Sequence, residues 1–324
     1  MTATEKEHFI NAVLELKNTK PSILHPTDPN LHRYDDYVEL HLNAMAVLPS
    51  WAHNAPAFFS WHRELIRHFE MDLQAIDSTV SVPYWDWLTD QGTGLPIWDP
   101  DPIRGLGTNG VGPTRKVMDG AFAFDAGKWT VRVKDNPASD PDNLTRRFTD
   151  GGTETLSTIA PSPGDIGDQT RTLGRINYDS APWWDLDSSG FFVRPASALN
   201  VFRVGSEYDL HNLVQRWISG NMGQAASPND PIFWFHHCNL DRLWSIWQRQ
   251  HPTSAPYLPT PPTTGVPAGH RSDESLVFTD ATHPTPPWPG STTSASLVNH
   301  HTISPGGYWY DTDPKRSSIK SRTS

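Results

Sequence analysis

The sequence predicts a mainly α protein, a four-helix bundle around a metal site, with long irregular loops. Helical periodicity is clear in several segments near both ends of the chain. Four of these segments carry a histidine on their apolar stripe. The middle of the chain, from about 90 to 200, is instead rich in Gly, Pro, Asp and Thr, which is typical of long surface loops on a helical scaffold.

The first quarter of the chain predicts three helices. The segment EKEHFINAVLELKNT has apolar residues near helical spacing. The segment YDDYVELHLNAMAVL places Val38, His41 and Met45 on one stripe. The segment SWHRELIRHFEMDLQAI does the same with His62 and Phe69, so the second and third helices each turn a histidine towards the core.

Helical periodicity resumes after residue 200. The segments DLHNLVQRWIS and FHHCNLDRLWSIWQRQ predict two more helices, which present His211 and His237. Residues 252–292 contain too many prolines for a helix and are expected to wrap the surface.

Composition excludes several classes of function. The formal net charge of −10 argues against nucleic acid or an anionic membrane as the main partner. Cys238 is the only cysteine, so the chain has neither an intramolecular disulfide nor a Cys-rich zinc site. No apolar run approaches a membrane span and the first residues lack a signal peptide, so we expect a cytoplasmic protein, or one exported with a partner that carries the signal.

Five histidines are predicted to face the interior: His41, His53, His62, His211 and His237. A single buried histidine is more often a core residue than a ligand, but five together favour a metal site. An all-imidazole site favours copper or zinc over calcium or magnesium. Because catalytic zinc also uses three histidines, this count alone leaves a copper pair and a single zinc ion both open.

Longer motifs around these histidines resemble a known family. HNAPAFFSWHRELIRHFE is similar to the first copper motif of the tyrosinase, catechol oxidase, o-aminophenol oxidase and hemocyanin group, and SPNDPIFWFHHCNLDRLWSIWQ to its second. VPYWDW resembles a turn between them, and YWY at 308–310 resembles the end of the central domain. The resemblance implies a type-3 copper domain over 1–310 and a short basic tail over 311–324, as in the short bacterial members.

The resemblance also implies the function and the ligands. Two copper ions and O2 would oxidise o-diphenols or o-aminophenols, and with more difficulty monophenols, to o-quinone-type products. A small phenolic or aminophenolic substrate and a copper-delivery helper protein are the expected partners. One copper would be held by His41, His53 and His62; the other would be held by His211, position 215 and His237.

Gln215 departs from the family pattern, which has a histidine at this position. Copper prefers imidazole to an amide, so Gln215 would weaken the second copper. Three explanations are open: Gln215 is a weak ligand, the chain is a variant disabled at the second copper, or the protein is a non-catalytic or mono-copper binder of oxygen or copper. His236 would be the neighbour of His237 that does not bind, although the sequence does not settle which of the two binds.

Three further residues take their expected roles from the resemblance. Glu207 and Asn212 would orient a water that deprotonates incoming monophenols, which is general-base work. Alternatively, Glu207 has only a structural role, as a negative charge that stabilises the N-terminus of its helix. Phe233, four residues before His237, would gate substrate entry, or simply pack in the core.

Overall fold

The computed structural model describes residues 1–90, 96–148, 166–186, 188, 200–305 and 307–314. It confirms the mainly helical prediction, and the described residues form isolated β-bridges rather than a sheet. The α-helices are α1 Ala3–Asn18, α2 Arg33–Met45, α3 Phe58–Ile76, α4 Ile166–Leu173, α5 Phe202–Gly205, α6 Asn212–Ile218, α7 Ile232–Gln250 and α8 Ser294–Leu297. A π-helical turn, Ser206–His211, joins α5 to α6.

The helix around His211 begins earlier than the sequence predicted. Periodicity placed its start near Asp209, but helical structure begins at Phe202 and passes through the π-helical turn. A π-helical turn adds a residue to one turn and so obscures the helical period. Such turns are frequent at functional sites, and this one ends at His211.

Helix α1 is fixed at both ends. Thr2 and Glu5 form a capping box, in which the Thr2 amide donates to Glu5 Oε2 at 2.6 Å and the Glu5 amide donates to Thr2 Oγ1 at 3.2 Å. Near the C-terminal end, the buried Lys17 ammonium forms an ion pair with Asp35 of α2. Both partners are almost fully buried, so this pair ties α1 to the bundle.

Aromatic side chains hold α2, α3 and α7 together. Trp234 of α7 stacks on Phe69 of α3, with ring centroids 3.7 Å apart, and meets Tyr37 of α2 edge-on at 5.7 Å. The Trp234 Nε1 donates to the Tyr34 hydroxyl at 2.9 Å, so the buried indole is also satisfied as a donor. These contacts fix α2, α3 and α7 relative to one another, so that the histidines of the three helices come together.

The segments before and after α7 are fastened to the bundle by an ion pair and by hydrogen bonds to a carboxylate. Arg146 donates to both oxygens of Asp230 at 2.7 and 2.8 Å, just before α7. At the other end of the chain, the Tyr308 and Tyr310 hydroxyls both donate to Asp241 Oδ2 on α7, at 2.5 and 2.6 Å.

Two sequence predictions concern regions that the structure describes only in part. Much of the loop region 90–200 lies outside the described residues, as do 315–324 of the predicted tail. Asp313 is buried and accepts a hydrogen bond from His300 Nε2 at 2.8 Å, so folded contacts reach beyond residue 310.

No helix in the described ranges is both long and apolar enough to cross a membrane.

Candidate metal centre

The first three histidines converge at the centre of the bundle. His41 comes from α2, His62 from α3, and His53 from the connection between these helices, and all three are buried. One ring nitrogen of each lies within 4.8 Å of those of the other two. We call His41, His53 and His62 the first triad.

Hydrogen bonds orient these rings. His41 Nδ1 lies 2.6 Å from the Ala225 carbonyl oxygen, and His62 Nδ1 lies 2.7 Å from the Phe58 carbonyl oxygen. A carbonyl only accepts, so these Nδ1 atoms carry the protons and each Nε2 keeps a free lone pair. This is how the ligand atom of a metal-binding histidine is usually selected.

Two nitrogens of the first triad face each other. His41 Nε2 and His53 Nε2 are 3.1 Å apart. His53 Nδ1 lies 3.3 Å from the Glu207 carboxylate, which places its proton on Nδ1 as well. Two facing lone pairs at this distance repel each other unless a cation lies between them. The donor set of the first triad therefore fits a metal ion.

The second group contains a histidine that the sequence analysis set aside. His211, His236 and His237 are buried, and one ring nitrogen of each lies within 4.8 Å of those of the other two. We call these residues the second triad. Both nitrogens of His236 and His237 are buried without a hydrogen-bond partner in the described part of the chain. Buried imidazole nitrogens of this kind are costly unless they bind a ligand.

The second triad corrects the interpretation built on Gln215. A third imidazole is present without it, so the reading of a chain disabled at the second copper is not favoured. Gln215 lines a cavity next to α6, and its Nε2 atom is buried with no hydrogen-bond partner among the described residues. Its role as a ligand, implied by the family pattern, stays a prediction.

The two triads form one centre. His62 and His237 stack with ring centroids 4.1 Å apart, and His53 and His211 lie 5.1 Å apart. Phe58 packs against both groups, 5.1 Å from His62 and 5.2 Å from His211. The bundle thus brings two three-histidine groups into contact inside an apolar shell.

Burial keeps the six imidazoles neutral. Burial is the main reason that the pKa of His41 and of His53 falls to about 3, and for His41 the neighbouring His53 contributes to this fall. The pKa values of His62, His211, His236 and His237 also lie well below the ordinary value, first because of burial and then because of nearby histidines. Neutral imidazoles are the form that binds metal, so the centre is ready to take up cations near neutral pH.

Glu207 and Asn212 each contact a different triad. Glu207 Oε1 accepts the Asn54 amide at 2.6 Å beside His53, and its Oε2 accepts from Arg203 Nη1 at 3.0 Å. Asn212 Oδ1 lies 2.7 Å from His211 Nδ1, which leaves His211 Nε2 free for a ligand. Burial raises the pKa of Glu207, although Arg203 and the Asn54 amide oppose this rise. Both residues thus position histidines, and their predicted work on a water molecule stays a prediction.

Phe233 lies where the sequence analysis expected, beside the centre. Its ring is 4.2 Å from His237 and 5.1 Å from His41. The side chain is fully buried, so it forms part of the wall. Its role as a substrate gate stays a prediction.

Two supporting residues, Phe58 and His270, were not predicted from the sequence. Phe58 lies one helical turn before His62 and could have been found from that spacing. His270 is buried, accepts from the Ala57 amide at 3.1 Å and lies 3.0 Å from the Ser50 carbonyl oxygen through its other nitrogen. It thereby braces the connection that carries His53. Nothing in the local sequence around His270 predicts this contact across more than 200 residues.

The donor chemistry favours copper or zinc. Six neutral imidazoles, with no carboxylate or thiolate in either triad, form a nitrogen-only donor set. Imidazole suits copper, zinc and nickel, whereas calcium and magnesium need oxygen ligands.

Comparisons with known proteins decide the family. Residues 31–250 match the family described as the common central domain of tyrosinase. The chain is 36% identical to a tyrosinase of Streptomyces antibioticus over 305 residues, covering 93% of this chain and 94% of the relative. It is 33% identical to a grixazone synthase of Streptomyces griseus, over 93% of this chain and 94% of that one.

Solved structures agree with the fold. A polyphenol oxidase from Thermothelomyces thermophila superposes with a TM-score of 0.62 at 21% identity, covering 96% of this chain and 86% of that one. A tyrosinase from Burkholderia thailandensis gives a TM-score of 0.55 at 20% identity, over 96% and 70% of the two chains. Together with the two buried histidine triads, these matches show that the chain belongs to the tyrosinase family of type-3 copper enzymes.

Proposed function

We propose that this protein uses O2 to oxidise o-diphenols or o-aminophenols to o-quinone-type products. His41, His53 and His62 would hold one copper, and His211, His236 and His237 would hold the other. The observation that carries the proposal is the contact between the two buried triads. The Nδ1 atoms of His41, His62 and His211 are hydrogen-bonded to protein oxygens, so the Nε2 atoms of these residues are free to bind copper. Copper, when bound, supplies the electron transfer to O2.

The reaction balances without a further reductant. Two molecules of an o-diphenol each lose two electrons and two protons. One O2 takes up these four electrons and four protons and leaves as two molecules of water. An o-aminophenol reacts in the same way and gives an o-quinone imine.

A cavity next to α6 is the proposed substrate site. Its volume is about 430 Å³, within the range of small-molecule sites. Its lining includes Asn212, which contacts the second-triad residue His211. Gln215 lines the same cavity, where its side chain is a polar group beside the proposed substrate position.

His236 is the proposed replacement for the family histidine at position 215. Its support is the grouping with His211 and His237 and the two unsatisfied nitrogens of its ring. Copper delivery by a helper protein and hydroxylation of monophenols through Glu207 and Asn212 stay predictions.

Oxygen consumption by the copper-loaded protein tests the proposal. We expect catechol and 2-aminophenol to drive oxygen uptake together with the appearance of a coloured product, at a ratio of two substrate molecules per O2. His62→Ala should abolish both signals, whereas His8→Asn, at a half-exposed histidine that pairs with Asp77, is the matched control and should keep them. No uptake above that of free copper would favour a non-catalytic binder instead. A zinc hydrolase would also consume no oxygen.

A further inference from the structure

Another group of metal-binding side chains lies on the outer side of α2. His25 comes from the connection between α1 and α2, Glu39 from α2, and His283 from the proline-rich segment that follows α7. One ligand atom from each of the three lies within 4.8 Å of the others. We call His25, Glu39 and His283 the outer cluster.

The outer cluster is separate from the copper centre. Glu39 and His41 are two residues apart on α2, so their side chains point to different sides of the helix. His41 faces His53 and Phe233 in the core, whereas Glu39 faces His25 and His283. The outer cluster is therefore not part of the copper centre.

One distance within the outer cluster suits a shared cation. His283 Nδ1 lies 3.6 Å from Glu39 Oε1, which is too long for a hydrogen bond. Two ligands of one tetrahedral zinc-type ion, each about 2.1 Å from the metal, would lie about 3.4 Å apart. His25 Nε2 lies 2.6 Å from the other Glu39 oxygen, a hydrogen bond that a shared ion would have to replace, and the two histidine rings meet edge-on at 4.9 Å.

His283 has an unsatisfied nitrogen within this cluster. Its Nδ1 atom is buried and has no hydrogen-bond partner in the described ranges. Asp280 Oδ1 also lies 3.6 Å from it, but that oxygen already accepts the backbone amides of Thr282 and His283 at 2.7 and 2.6 Å. The other Asp280 oxygen accepts from Asn43 Nδ2 at 2.6 Å, so Asp280 fixes the His283 loop on α2.

We propose that His25, Glu39 and His283 form an additional binding site for a divalent ion of the zinc or copper type. Two imidazoles and one carboxylate make a donor set that such ions prefer, and calcium or magnesium would need more oxygen ligands. The three side chains are 30%, 17% and 13% exposed, so solvent reaches the cluster and a water molecule can complete the coordination. An ion here would link the proline-rich segment to α2 and stabilise the folded chain.

Zinc alone is the probe for this site. Metal-free full-length protein is incubated with Zn²⁺, loosely bound metal is removed by gel filtration, and zinc per chain is measured by elemental analysis. We expect Glu39→Gln and His283→Asn each to retain one equivalent less than the unchanged chain. The His8→Asn variant is the matched control and should retain the full amount.

The comparison isolates the outer cluster because every variant keeps all six histidines of the two triads. Failure of the proposed oxidase activity would therefore leave this measurement unaffected. Thermal unfolding gives the second readout: Zn²⁺ should raise the midpoint more for the unchanged chain than for Glu39→Gln. Equal zinc content and equal shifts in Glu39→Gln, His283→Asn and the unchanged chain would overturn the proposal and leave a hydrogen-bonded cluster only. Circular dichroism without zinc checks that both variants fold.

Discussion

Replacement of His236 by glutamine is the most direct test of the second copper site. If His236 is a ligand, His236→Gln puts an amide where an imidazole binds the metal. Loss of a residue that only supports a ligand already weakens metal binding by about 10–100-fold. We therefore expect the copper affinity of the second triad to fall by at least about 100-fold, which corresponds to about 2.8 kcal/mol. The His236 nitrogens have no other partner in the described part of the chain, so the substitution leaves no protein group unpaired.

Copper per chain is the assay, and the variants are made in a Glu39→Gln background so that the outer cluster does not contribute. After copper loading and a chelator wash, the parent chain should hold two copper ions and His236→Gln one. Gln215→Ala should keep two, because Gln215 forms a wall of the neighbouring cavity. The copper content of the double variant Gln215→His with His236→Gln shows whether an imidazole at position 215 restores binding of the second copper ion.

Two results would refute this reasoning. If His236→Gln retained both copper ions, His236 would be a bystander and another group would complete the second site. If Gln215→Ala lost one copper ion, the glutamine would be the third ligand, as the family pattern predicts. Oxygen uptake with catechol, measured on the same samples, should follow the copper content.

Three further predictions concern the residues that support the centre. Asn212→Ala removes the acceptor that orients His211, so the rate of catechol oxidation and the copper affinity of the second triad should each fall by about 10–100-fold, measured by oxygen uptake and copper competition. Phe58→Ala opens a cavity between the triads and should lower the free energy of unfolding of the metal-free protein by about 3–5 kcal/mol in urea titrations; a loss below about 1 kcal/mol would contradict the packing described above. Burial lowers the pKa of His270 from 6.5 to about 3, so the folded chain keeps it neutral while the unfolded chain takes up a proton below pH 6.5. Stability is therefore full above pH 6.5 and falls as the pH decreases towards 3, and between pH 7.5 and pH 5 the metal-free parent should lose about 2 kcal/mol more than His270→Gln. Equal losses in the two proteins would show that His270 does not contribute.

Local patterns were sufficient to predict most of the helices and most of the histidines that meet at the centre. His41 and His62 lie on apolar stripes because a bundle helix turns one face to the core, and that periodicity is visible in the sequence. His53 could be placed only by its motif, because it lies in a connection that has no period.

The choice between Gln215 and His236 could not be made from the sequence. Adjacent residues on a helix point about 100° apart, yet both His236 and His237 reach the centre, since α7 passes close to His211 and to His62. Spacing along one helix does not reveal where a second helix crosses it. The contacts of His270 and Glu207 could not be predicted for the same reason, because each joins segments more than 150 residues apart in the chain.

The carboxylate of Glu207 has a consequence for how the two metal ions are acquired. It accepts from the connection that carries His53 of the first triad, and it belongs to the π-helical turn that ends at His211 of the second. An ion that fixes His53 therefore also fixes this turn, and the ordering of His211 is then partly complete before the second ion arrives. Binding at the two positions should be positively cooperative, and thermodynamic linkage requires the effect to be equal in both directions. A copper titration of this protein would then show a Hill coefficient above one, which Glu207→Gln should reduce towards one.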